Sequence, residues 1–173
     1  MSYTEMFKVP ESGEIEHVAD FSNAFRSAWH VWSEMAEAYF HENASRMMLE
    51  KSMQLVWDLW KCEDVPLDYR IVMAFTFDNV MVRRKNFVRL AEAMEAFAKR
   101  FGPGTLWEQA QMLRQLASDE TVYAVCWNQT SVNADTWWIR DQSLSDDEDE
   151  QYRMYDISKD KGHWFLFDEL AEA

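Results

Sequence analysis

Apolar positions along this chain of 173 residues recur with helical spacing in some stretches and as short unbroken runs in others. Residues 5–19 read as a short β-hairpin. Met6-Phe7-Lys8-Val9 is strand-like, Pro10-Glu11-Ser12-Gly13 has turn chemistry, and Ile15 to Val18 resumes an extended pattern. A helix is predicted from about Ser22 to Phe40. Phe21, Phe25, Ala28, Trp29, Trp32, Met35, Ala36 and Tyr39 recur at i, i+4 and i+7, Arg26, His30, Ser33, Glu34 and Glu37 take the other face, and Asp20 or Ser22 serves as N-cap. A second helix is predicted from about Ser45 to Trp60, with Leu49, Met53, Val56 and Trp60 as its stripe. Asp64, Pro66 and Asp68 break that pattern.

The run from Arg70 to Phe77 is apolar and β-rich, and Asp78-Asn79 is a turn signal. The reading is a hairpin of Arg70–Thr76 with Val80–Arg83. A single helix across 68–82 is the competing reading, because short apolar runs are ambiguous by periodicity. Phe87, Leu90, Ala91, Met94, Phe97, Ala98 and Phe101 mark an amphipathic helix capped at Asn86 and stopped by Gly102-Pro103. Thr105-Leu106-Trp107-Glu108 is a capping box for a further helix to about Ala117. Val122 to Trp127 predicts a central strand, Asn128 to Ala134 a polar turn, Thr136 to Arg140 its partner strand, and Tyr152 to Ile157 an edge strand. His163 to Ala171 predicts a closing helix.

Helices and strands cluster rather than alternate, which predicts an α+β fold: amphipathic helices packed on a small, mainly antiparallel sheet. Hydrophobic residues are 48% of the chain, with only four Gly and three Pro, so one compact domain over residues 1–173 is expected, with a mobile acidic loop at 141–151. Cys62 and Cys126 form no C-x-x-C pair and are expected to be free thiols in a reducing compartment. The first ten residues lack a signal-peptide pattern and no apolar run is long enough for a membrane span, so the expectation is a cytoplasmic protein.

Charge changes this picture most. The formal net charge of −14 disfavours direct binding to nucleic acid or membrane and favours a basic protein as partner, including one that itself holds nucleic acid. The acidity is uneven. Residues 105–173 carry five basic and fifteen acidic side chains, a net of −10, whereas residues 62–104 have a net of +1.

Three constellations are candidates for function. Asp146-Asp147-Glu148-Asp149-Glu150, with Asp141 nearby, reads either as a solvated loop or as an electrostatic decoy for a basic nucleic-acid groove. The mid-loop Gly of an EF-hand is missing. Residues 127–138 place Asn128, Gln129 and Asn133 among Trp127, Trp137 and Trp138. This is either a ligand site of amides and aromatic platforms suited to a sugar or nucleotide, or a hairpin whose Trp residues anchor the core. Arg83-Arg84-Lys85 and Arg89 lie at a helix start, where the macrodipole disfavours cations. They require either pairing with the acidic C-terminal third or self-association, basic face on acidic face. His17, His30, His41 and His163 show no i, i+4 metal spacing. No Walker A, G-x-S-x-G or G-x-G-x-x-G motif occurs, so no catalytic, metal or cofactor site is expected.

Thr76-Phe77-Asp78-Asn79-Val80, Trp127 to Asn133, and His163-Trp164-Phe165-Leu166-Phe167-Asp168 resemble small proteins of phages and other mobile elements, over about the C-terminal hundred residues. The resemblance implies an anti-defence inhibitor of the anti-CRISPR or anti-restriction type, small, acidic and non-enzymatic. It carries no site residues. The combined expectation is a non-enzymatic acidic inhibitor that blocks a nucleic-acid-binding protein by charge mimicry.

Overall fold

The first two strands pair because the turn residues 10–13 join two extended segments. In the computed structural model, which describes residues 3–22, 24–129, 136–147 and 151–172, β1 (Tyr3–Val9) and β2 (Glu16–Ser22) are antiparallel. Asp20 and Ser22, read as helix caps, are strand residues of β2; the helix that follows is α1 (Ala24–Phe40).

The predicted single helix over 45–60 is broken. It comprises α2 (Ala44–Leu49), α3 (Met53–Trp57) and a 3-10 helix at Asp58–Lys61. Lys51 has φ 59, Ser52 N–H donates to the Met47 carbonyl, and Lys51 N–H donates to that of Met48. This is a Schellman ending, with lysine where glycine normally sits. The break splits the expected stripe. Met53 and Val56 reach the core, whereas Leu49 is 84% exposed.

The predicted strand Arg70–Thr76 is instead the helix α4 (Leu67–Phe75), so the 70–83 hairpin is not formed. Ile71 to Phe75 are all buried, a helix hydrophobic on every side, which is why no period shows in its sequence. Pro66 precedes it, and Asp68 lies in its first turn, where the helix dipole favours an acid. The Asp78-Asn79 turn does form, with Asn79 at φ 60, and β3 (Val80–Arg83) follows it as expected.

The remaining helices of the amphipathic set are α5 (Phe87–Phe101), stopped at Gly102, and α6 (Leu106–Leu116). Neither Asn86 nor Thr105 caps its helix through the side chain. Thr105 instead accepts from buried Gln109 at 3.0 Å. The later strands are β4 (Ala124–Asn128), β5 (Trp138–Arg140), β6 (Tyr152–Met154) and β7 (Trp164–Phe165). Helix α7 (Leu166–Glu172) follows β7 directly.

The main sheet has the order β2-β1-β4-β3-β7, antiparallel except for the parallel β3–β7 pair. Its central strand β4 is buried on both faces, as its unbroken apolar run predicts. Val125 and Trp127 face the helices together with Met6, Val80 and Val82. Ala124 and Cys126 face the opposite side with Phe7, Val9 and Met81, where Trp137 and Tyr155 cover them. The fold is α+β: a helical layer, a mainly antiparallel sheet, and a thin C-terminal layer built on the β5–β6 ribbon. β5 pairs with β6 and not, as expected, with β4.

Candidate functional site at the β5–β6 ribbon

The C-terminal layer is fastened to the sheet by a few specific contacts. Ile15 N–H donates to the Tyr155 carbonyl, and Tyr155 N–H to that of Trp137. Trp137 is buried, stacks edge-on with Tyr155 at 5.2 Å, and donates from Nε1 to the Trp127 carbonyl at 2.8 Å. Arg153 is the electrostatic centre of this layer. Its guanidinium meets both oxygens of Asp160 at 2.7 Å, and its Nε donates to Asp141 at 3.2 Å. A bidentate pair of this kind is shorter and stronger than a neutral hydrogen bond.

The acids of this network are held in the ionised form. Ser158 donates from its hydroxyl and backbone N–H to buried Asp156, and Lys159 adds an ion pair at 2.9 Å, together holding the Asp156 carboxyl at about 2. Arg153 holds Asp160 below the usual carboxylate range, with a further hydrogen bond from Asp156 N–H. Asp141 is likewise lowered, first by Ser143 and then by Arg153. The sequence singles out Asp141 as part of the acidic segment but not Arg153, Asp156 or Asp160, because their meeting depends on how the chain folds.

The opposite face of the ribbon is partly open, with Met154 packed against the core and its neighbours exposed. The register pairs Trp138 with Met154 and Arg140 with Tyr152, so these four share one face. Trp138 and Tyr152 are each 49% exposed, and Leu144 in the connecting segment is 53% exposed. At the base of that segment Arg140 donates twice to the Gln151 side chain at 3.1 Å, and Gln151 donates to the Ser145 carbonyl.

The acidic candidates divide accordingly. Asp146 and Asp147 are exposed in the segment that joins β5 to β6. Glu148, Asp149 and Glu150 lie outside the described residues. Asp141 turns inward to Ser143 and Arg153. Among the candidates in 127–138, Trp127 is buried against Phe75 at 5.1 Å, and Gln129 is buried with its Nε2 donating to the Phe75 carbonyl. Asn128 donates to Glu5 at 2.9 Å. Asn133 lies outside the described residues. Of the three indoles, Trp127 and Trp137 are spent on packing, and Trp138 reaches solvent.

The three arginines of the basic segment pair within the chain. Arg83 meets both oxygens of Asp168 (2.6 and 2.7 Å) and stacks over Phe165 at 3.5 Å. Arg84 donates to the Asp119 carbonyl, and Arg89 pairs with Asp68 at 2.7 Å. Two of these three partners come from the acidic C-terminal third. Cys62 and Cys126 are free thiols, and burial pushes the Cys126 thiol well up. Among the described residues no helix is long and apolar enough to cross a membrane. A scan against protein-family models, a search of curated proteins and a search of solved structures each find no match to this chain.

Proposed function

We propose that this protein is a non-enzymatic interaction protein that blocks a basic, nucleic-acid-binding partner by charge mimicry, through the partly open face of the β5–β6 ribbon and the adjoining acidic segment. The observation that carries the reading is half-exposed Trp138 and Tyr152 on one face of the ribbon, with exposed Leu144, Asp146 and Asp147 in the segment that joins its strands. Exposed Trp and Tyr beside charge is the composition of an interface hot spot. The net −10 of residues 105–173 selects a basic partner and steers it in the encounter. The internal pairing of Arg83 and Arg84 supports a monomeric acidic surface over self-association. The resemblance to mobile-element inhibitors adds that the partner is a host defence protein.

Pull-down from a host lysate, followed by binding of the captured protein at rising salt, tests the reading. Affinity should fall at least tenfold between about 50 and 300 mM salt, because exposed charges separated by more than a Debye length of roughly 10 Å are screened. Asp146→Asn with Asp147→Asn should lower the association rate, and Trp138→Ala should raise the dissociation rate. An affinity indifferent to salt and to all three substitutions refutes mimicry through this face.

A further inference from the structure

Strand register brings together three metal-ligating side chains that the sequence keeps apart. Glu5 on β1 lies directly opposite Asp20 on β2, and Phe7 lies opposite His17. The register shifts between Met6 and Phe7, so β2 contributes one extra residue, Val18, to the ladder. This bulge decides the outcome. In a regular ladder residues 17 and 20 point to opposite faces, and the extra residue returns His17 to the face of Asp20 and Glu5. The imidazole, held edge-on against Phe7 at 5.7 Å, places Nε2 2.7 Å from Asp20 Oδ1. One ligand atom from each of Glu5, His17 and Asp20 lies within 4.8 Å of the other two.

The charge of this group is unbalanced. Like charges directly opposite across a ladder destabilise it, yet among the described residues no lysine or arginine pairs with Glu5 or Asp20. The hydrogen-bond partner of Glu5 is Asn128, which donates from β4 and fixes the carboxylate, as an outer partner of a metal ligand does.

We propose that Glu5, His17 and Asp20 form a binding site for a divalent transition-metal ion of the zinc class. An imidazole nitrogen with two carboxylate oxygens suits zinc, cobalt or nickel better than magnesium or calcium, which prefer all-oxygen shells. Three protein ligands leave a fourth position for water. Bonds of roughly 2.0–2.2 Å place tetrahedral ligand atoms about 3.4 Å apart, so the His17–Asp20 pair opens by less than about 1 Å and Glu5 closes on it. His17 and Asp20 are about half exposed (side chains 47% and 51%) and have the freedom to do this. The site lies on β1 and β2 and shares no residue with the proposed interaction face.

The test uses the full chain, stripped by chelator and desalted, and titrated with zinc chloride by calorimetry and with cobalt chloride by visible absorption. One ion per chain is expected, with His17→Ala and Asp20→Asn each weakening binding at least tenfold and Asn128→Ala weakening it less. Asp146→Asn with Asp147→Asn should leave it unchanged. Circular dichroism of the metal-free variants checks their folding, and zinc titration of the wild-type chain followed at the histidine ring nitrogens gives a readout that needs no variant. Absence of saturable binding, binding indifferent to His17→Ala, or a zinc-induced shift at His30, His41 or His163 rather than His17 overturns the proposal.

Discussion

At the scale of single residues, the three indoles of residues 127–138 look alike in sequence and do different work. Trp127 and Trp137 are each only 2% exposed, whereas Trp138 is 49% exposed. Truncating a buried tryptophan costs about 3–5 kcal/mol, and a surface substitution stays within about 0.5 kcal/mol. Trp127→Ala is therefore expected to lower urea-unfolding stability by about 3–5 kcal/mol, and Trp138→Ala to leave it unchanged. That residues 127–138 would combine amides with aromatics was legible in the chain. Which ring faces the core was not, because it depends on β5 pairing with β6 instead of β4.

Titration also belongs to this scale. Asp141, Asp156 and Asp160 are all more acidic in the folded chain than an ordinary carboxyl. Their contribution to stability is present above the ordinary value of 3.8 and is lost as the pH falls from there toward about 2. Amide exchange should show the β5–β6 layer opening before the helical layer over that range. His163 is shifted in the same direction, but there the fold favours the neutral form instead of the charged one. Burial first, then the charges of Lys161 and Arg83, hold its pKa below 6.5, and its Nδ1 lies 2.8 Å from the Tyr155 hydroxyl. The unfolded chain takes up this proton more readily, so the contribution is complete above 6.5 and declines as the pH drops below it. The urea midpoint should fall between pH 7.5 and 5.5, and His163→Gln should flatten that part of the profile.

At the scale of elements, strong amphipathic periodicity was legible and burial on all sides was not. Phe87 to Phe101 announces α5 because one face is wet. Ile71 to Phe75 hides α4 because none is, so the run reads equally as strand. The division between α2 and α3 was hidden for a different reason. Its left-handed residue is Lys51, and no glycine marks the stop. Holding a non-glycine residue in that region costs about 1–2 kcal/mol, partly offset by glycine's greater freedom in the unfolded chain. Lys51→Gly is expected to stabilise the protein by about 0.5–1 kcal/mol, measured by thermal or urea unfolding. A loss of stability would show that the Lys51 side chain makes contacts that outweigh the strain.

At the scale of the whole molecule, the α+β class, the central place of β4 and the segregation of charge were all readable from pattern and composition. Long-range pairing was not. Arg83 with Asp168 and Arg153 with Asp160 and Asp141 arise from packing, and they consume cations that the sequence shows only as a basic cluster and an isolated arginine. The exposed acids of the C-terminal third, Asp146 and Asp147 among them, remain at the surface. This makes the salt dependence of partner binding the expectation of widest reach.

The order of strands in the sheet has a consequence for how the molecule comes into being. β1 lies between β2, its neighbour in the chain, and β4, so that Glu5 meets Asn128 across 123 positions. At ribosomal rates of 5–20 residues per second, β1 waits roughly ten seconds for its second neighbour, with one backbone edge unpaired. β3 waits in turn for β7, near the other end of the chain. Until β4 emerges, β1 and β2 have only each other to pair with in this sheet. The sheet is complete only after β4 and β7 emerge, which makes this interval the one in which a chaperone has the most to protect.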